Sequence, residues 1–375
     1  MTDSIASFRQ QARAWLASNV PKDPPPADGP ESREYALAWQ RTQAQGGWGG
    51  IAWPTEMGGR GASVLEQIVW FEEYARAGAP SPLGPTFVGL NHAGPTLIYC
   101  GSPEQKAFHL PRIIHGDVIW CQGFSEAGSG SDLGSLRATG TVDGDDLVIE
   151  GHKLWSSFAD IGDYQELLVR THPTEKTSKA LTWVICPMNA PGITVRPIRT
   201  MAGVYKFCEV FYDSVRVPLS NIVGGLHNGW ATAMSTLAFE RGTSSLALLL
   251  GLLRKVEWML EVCPVDRPQM RARIAQLRAE GAAVRAMTYR LALDSAESTP
   301  DASGSMVRLA FAEYTQRVNA AALDLFGIDA PEALGLHGLG HDYLDAFHET
   351  IAGGTSEIQR NIIGERVLGL PKGPR

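Results

Sequence analysis

The sequence predicts an α+β chain in three consecutive parts, helical, then β, then helical again. Three observations carry this expectation. Apolar residues recur near a 3.6-residue period over Ile5 to Asn19 and Val64 to Ala79. After about Ile119, β-branched and aromatic residues gather into short runs separated by turn residues. Beyond Gly229 the pattern returns to long helical segments with short Pro- or Gly-containing breaks.

Residues 1–118 are therefore read as a helical domain. Pro21 to Pro30 is a proline-rich loop, and Gly46 to Gly61 holds Pro54 and seven glycines, which implies an irregular connection with several special backbone angles. Residues 119–225 are read as a β domain, with strands expected at Leu147–Ile149, Leu167–Arg170, Leu181–Cys186, Ile193–Ile198 and Cys208–Tyr212. Asp143-Gly144-Asp145 and Asn189-Ala190-Pro191-Gly192 supply turns between them. Residues 226–375 are read as an antiparallel bundle with helices at Trp230–Val262, Pro268–Ser295, Ser305–Phe326, His341–Ile351 and Ser356–Leu368.

A chain of 375 residues with 44% hydrophobic and 19% charged side chains can fill several cores. Its net charge of -7 offers no basic field for a nucleic acid. Arg267, Arg271, Arg273 and Arg278 form the densest basic cluster, and their three- and four-residue spacing reads first as a solvated helix face. Cys100, Cys121, Cys186, Cys208 and Cys263 are scattered, which suits reduced thiols in a cytoplasmic protein. No targeting segment is expected, and the apolar run Leu246–Leu253 is too short to span a bilayer.

Three stretches carry chemistry. Gln122-Gly-Phe-Ser-Glu-Ala-Gly-Ser-Gly-Ser-Asp-Leu133 has small residues that let backbone N–H groups approach a ligand, and it reads as a phosphate or flavin cradle or simply as a polar turn. Lys153-Leu-Trp-Ser-Ser157 places an indole beside hydroxyls, suited to a flat heteroaromatic ring, with a core tryptophan as the alternative. In Ile351-Ala-Gly-Gly-Thr-Ser-Glu-Ile-Gln-Arg-Asn-Ile-Ile-Gly-Glu-Arg-Val-Leu-Gly-Leu-Pro371 a double glycine precedes a helix that Thr355 or Ser356 can cap.

Together with Gly47-Trp-Gly-Gly-Ile-Ala-Trp-Pro-Thr-Glu-Met-Gly-Gly-Arg-Gly61 and Gly101-Ser-Pro-Glu-Gln-Lys106, these motifs resemble the acyl-CoA dehydrogenase family along nearly the whole chain. The resemblance implies an N-terminal helical domain, a β-barrel-like middle domain and a C-terminal four-helix bundle. It also implies FAD as cofactor, an acyl-CoA substrate, and an electron-transfer flavoprotein as electron acceptor. By position, Gln122, Phe124, Ser125, Gly130 and Ser131 would line the flavin and thioester site, Trp155 and Ser157 would flank the isoalloxazine, and Thr355 and Glu357 would touch the cofactor's phosphate and adenosine side. Ser131 and Arg241 would touch the substrate.

Taking an α proton beside a thioester needs a placed base. Many relatives carry a Glu directly before the Gly-Thr of the last motif, and here that position is Gly353. A minority, isovaleryl-CoA dehydrogenase among them, carry it on a bundle helix in a Leu-x-x-Glu-Arg pattern, which Leu237-Ala-Phe-Glu-Arg241 matches. Glu240 is thus the expected base, its alternative being a surface ion pair, and Glu349 is a second candidate.

The resemblance also implies a tetramer. Segments that in simple homotetramers reach a neighbour's FAD are absent, although Arg267 could replace one of them, so the pattern resembles a bacterial branch in which two different subunits pair and some members take steroid-derived thioesters. A non-catalytic partner subunit and a flavin oxidase are the competing readings. A metal site built from His337, His341, Asp342, Asp345 and His348 is not expected, because Gly338 and Gly340 interrupt the shared helical face.

Overall fold

The structure, a computed structural model, describes residues 2–172, 178–239, 243–297, 302–327 and 338–373. Glu240, Arg241 and His337 lie outside the described residues.

The first part comprises α1 (Thr2–Asn19), α2 (Gly29–Gln45), α3 (Val64–Arg76), α4 (Gly94–Cys100) and α5 (Pro103–Ile114). The apolar face of α1, Phe8, Ala12 and Leu16, is buried with Ile68, Trp70 and Phe71 of α3. Trp48 stacks on Trp70 with ring centroids 4.4 Å apart. Glu73 of α3 is buried, and Arg13 and Arg9 donate to its oxygens at 2.9 Å. These bonds hold its carboxyl below the usual range despite burial. Both α3 and α5 start with reciprocal capping, Ser63 with Glu66 and Ser102 with Gln105.

The middle part contains β1 (Trp120–Gly123), β2 (Thr139–Asp143), β3 (Asp146–Ser157), β4 (Tyr164–Arg170), β5 (Leu181–Pro187), β6 (Ile193–Ile198), β7 (Phe207–Pro218) and β8 (Ile222–Val223). Their order is β6-β7-β3-β2-β4-β5-β8, with β1 parallel to β4. All five expected strands fall inside β3 to β7. Alternation sorts β4 into two cores: Leu167 and Val169 face a core internal to the β domain, and Leu168 faces a second core shared with Leu97 and Ile113 of the helical part. Gln105 Nε2 donates to the carbonyls of Ser220 and Ile222, and Arg33 pairs with Asp163 at 2.7 Å, so polar ties join the same two parts.

The last part holds α6 (Gly229–Phe239), α7 (Ser245–Val262), α8 (Pro268–Glu297), α9 (Gly304–Phe326), α10 (Leu339–Asp345) and α11 (Ser356–Ile362). Three expectations need correction here. Trp230–Val262 is not one helix: Thr243 and Ser244 form a turn, and α7 begins at Ser245. Hydroxyl residues that compete for backbone bonds explain the weak point. His341–Ile351 changes to a 3-10 turn at Ala346, and after Ile362 the last helix widens into a π turn over Ile363–Val367.

Gly281 lets α8 approach its neighbours, because a Cβ there would stand 2.3 Å from Tyr314 Oη and from Leu253 Cδ2. The clustered arginines are engaged within the bundle: Arg273 pairs with Asp324, Arg278 with Glu257, and Arg271 donates to the Cys263 carbonyl. All five cysteines are free thiols, and burial pushes Cys186 and Cys208 to about 12. No described helix is long and apolar enough to cross a membrane.

Candidate active site

The loop after β1 is built by a few defined bonds. Glu126 and Ser129 exchange backbone hydrogen bonds at 3.0 and 3.1 Å, and Ser129 Oγ donates to the Asp132 carbonyl. The Glu126 carboxylate accepts from the backbone N–H groups of Arg137 and Ala138. Gly128 and Gly130 have nothing within 4 Å of where a Cβ would start, so the loop offers bare backbone to an open face. Ser131 is exposed, Ser125 is half-buried, and Phe124 is buried in the core beneath.

Beside this loop runs the end of β3. Its pairing with β7 is irregular between Lys153 and Ser156, and Trp155 takes a positive φ of 63°. That bulge reverses the usual alternation locally. Lys153 is turned fully inside while the Trp155 indole is 55% exposed, which is unusual for so large an apolar ring. Ser157 is half-buried at the strand end. Lys153 Nζ donates to the Phe124 carbonyl at 3.1 Å and to Glu126 Oε1 at 2.8 Å, and the Leu154 N–H donates to the Ser125 carbonyl. Burial pulls the Lys153 ammonium down to about 8 against the opposing pull of Glu126. Burial alone would raise the Glu126 carboxyl, but the charge and hydrogen bond of Lys153 and the two backbone N–H groups hold it low.

Gln122, on β1, turns its amide inward. It donates to Glu166 Oε1 at 2.8 Å, and His92 Nδ1 lies 3.1 Å from the same oxygen. This buried cluster was not foreseen; its one sequence signal is Glu166, an acid within the otherwise apolar run Leu167–Val169 and its flank.

The turn just before the third motif is linked to Trp155 through Phe207. Phe207 lies edge-on to Trp155 at 6.1 Å, and His348 lies 6.1 Å from Phe207. Gly353 and Gly354 have φ of 62° and 90°, and Gln359 Nε2 donates to both of their carbonyls. Only glycine adopts two such angles in succession without strain. Thr355 Oγ1 caps α11 by accepting from the Ile358 N–H, and Glu357 is exposed on its first turn.

Between α3, α7, α8 and α9 lies a cavity of about 290 Å³. Val64, Ile68, Leu246, Leu249 and Phe311 give it an apolar character, and its wall also includes Thr243, His348, Glu349 and Gly353. Glu349 is paired with Arg308 at 2.8 Å. Arg267 lies apart from this site: its Nη1 donates to the Leu325 carbonyl at 2.8 Å and so caps the C-terminal end of α9.

Comparison with known proteins finds three domains in series. Models of the acyl-CoA dehydrogenase N-terminal, middle and C-terminal domains match residues 2–117, 121–215 and 227–368. The acyl-CoA dehydrogenase IpdE1 of Mycobacterium tuberculosis is 35% identical, with 98% of each chain covered. Among solved structures, the ChsE4-ChsE5 complex from Mycobacterium tuberculosis superposes with a TM-score of 0.83 at 31% identity, covering 100% of this chain and 99% of that one. The Tcur3481-Tcur3483 steroid ACAD gives 0.86 at 29%, covering 99% and 98%. Three domains matched in series and relatives matched end to end place this chain in the acyl-CoA dehydrogenase family of flavoprotein oxidoreductases.

Proposed function

We propose that this chain, with FAD bound, dehydrogenates the α and β carbons of an acyl-CoA and passes the electrons to an electron-transfer flavoprotein. The observation that carries this reading is the apolar cavity whose wall reaches the Gly353 turn and His348, with Phe207 linking His348 to the exposed Trp155. The residues present suit a flat cofactor: an outward indole on a bulge, and a loop with bare glycine backbone beside it. Gln122, Phe124, Ser125, Gly130, Ser131, Trp155 and Ser157 would hold the ring end, and Thr355 with Glu357 the phosphate and adenosine end. When bound, FAD supplies the acceptor for hydride from the β carbon.

The chain's own residues do the rest. Glu240 takes the α proton, and it precedes by three residues Thr243, which lines the cavity. A carboxylate enclosed by acyl chain and cofactor loses water, which raises its affinity for a proton toward what the step needs. Gly353 stands where many relatives carry the acid, and Glu349, which also lines the cavity, is held by Arg308. Ser131 and Arg241 would hold the thioester. The likeness to the ChsE4-ChsE5 complex and to the Tcur3481-Tcur3483 steroid ACAD supports a second subunit and a steroid-derived thioester as substrate.

The test is Glu240→Gln, purified with any companion subunit. The variant is expected to keep its flavin spectrum and lose turnover by a factor of ~10² to 10⁴. Full activity in it would remove Glu240 from the role.

A further inference from the structure

One feature of the cavity is out of place in a hydrocarbon pocket. Arg308 of α9 and Glu349 of the 3-10 turn both line it, and they face each other as an ion pair with only 20% and 13% of their side chains exposed. Arg308 also donates from Nη2 to the carbonyls of Glu349 and Ala352, which fixes the turn leading to Gly353. Removing two charges from water is costly, and apolar residues of similar volume usually serve stability as well or better. Beyond fixing the turn, the pair sets a cation and an acid on the cavity wall, which methylene groups alone would not need.

We infer that Arg308 and Glu349 read a neutral oxygen, a ketone or hydroxyl, that the acyl group carries in addition to its thioester carbonyl; this rests on the acyl-CoA reading above. The pair offers both kinds of partner. The guanidinium has N–H groups beyond the three bonds it makes within the chain, and these can donate to a ketone. Arg308 Nη1 bonds Glu349 Oε2, and the His348 ring stands 3.7 Å from Oε1, beyond hydrogen-bond reach, so Oε1 can accept from a hydroxyl. A carboxylate on the acyl group is disfavoured, since Glu349 already balances Arg308 and a second anion would enter an apolar space with one guanidinium between two acids. A site built to bond an oxygen rejects the analogue lacking it far more strongly than a plain apolar pocket rejects a missing methylene.

The experiment uses the flavin-loaded protein with its companion subunit. Its probes are cyclohexylpropanoyl-CoA and that thioester's ring-ketone, ring-alcohol and ring-carboxylate analogues. Two quantities are read: kcat/KM by dye reduction, and Kd of each thioester by calorimetry. Ketone and alcohol are expected to exceed the unsubstituted ring by about 10- to 100-fold in both, with the carboxylate poorest. Arg308→Met should bring the ketone-to-plain ratio near unity. Glu349→Gln, which leaves the arginine bonds to the turn's carbonyls in place, should lower the alcohol ratio more than the ketone ratio.

Equal constants across the wild-type series, a preference for the carboxylate, or an equal loss on all four probes in both variants would overturn the inference. Selective binding without any turnover would instead sink the proposed reaction and leave the selectivity standing.

Discussion

Lys153 and Glu126 form a buried ion pair 2.8 Å long that ties the strand carrying Trp155 to the loop carrying Ser125 and Gly130. Neither side chain points at the open face, yet both sides of the proposed flavin cradle depend on them. Replacing Lys153 by Met leaves the Glu126 carboxylate without its cation inside the domain, a loss of about 3 kcal/mol. The expected result is a lower melting temperature and weaker flavin retention, read by differential scanning and by absorbance after gel filtration. A variant with wild-type flavin content would show that the loop holds its shape without the pair.

Acid stability depends on His109. Its ring is buried among Phe108, Trp120 and Tyr164, and burial, helped by the charge of Arg112, pushes it down to about 4. The folded state thus binds this proton less readily than the unfolded chain, whose imidazole titrates near its ordinary 6.5. Stability from this group is present above about 6.5 and is lost as pH falls toward 4, by about 3 kcal/mol at most. Chemical denaturation between neutral pH and pH ~4.5 is expected to be less steep in pH for His109→Phe than for the wild type.

Gly229 begins α6 directly against the backbone of Thr182, where a Cβ would stand 2.5 Å from the carbonyl carbon. Gly229→Ala must push the helix off β5. Overpacking of this kind costs about 1–3 kcal/mol. Turnover is expected to fall further than stability implies, because the candidate base follows α6 in sequence. Comparing kcat with the melting curve at a temperature where the variant is fully folded checks this.

Arg267 separates two roles in one substitution. Its bond to the Leu325 carbonyl closes the end of α9, so Arg267→Ala is expected to lose about 1 kcal/mol of stability. Flavin affinity measured in the assembled protein decides the second role: an unchanged value leaves Arg267 with the helix end alone, and a drop assigns it to a neighbouring subunit's FAD.

Much of the architecture was legible because periodicity reports burial. The strands in β3 to β7 announced themselves through β-branched runs, and α1, α3, α8 and α9 through apolar spacing. What escaped was set by long-range contact. The sequence Lys-Leu-Trp contains nothing that says the lysine goes in and the indole out; the bulge against β7 decides it. Arg308 lies on a helix as an ordinary surface arginine would, and only the fold of the 346–353 turn makes it line a cavity. His92 and Glu166 are 74 residues apart and meet through packing alone. Glu240 and Arg241 were singled out by motif, and they fall outside the described residues.

The crevice has no single owner. Val64 and Ile68 come from the first helical part, and Leu249, Tyr289 and Phe311 from the last. A fragment ending before Gly229, or one starting there, would therefore present an open trough with half its wall missing. Splitting the chain would cut a shared core as well as the cavity, and drift in acyl preference can begin on either side of the seam.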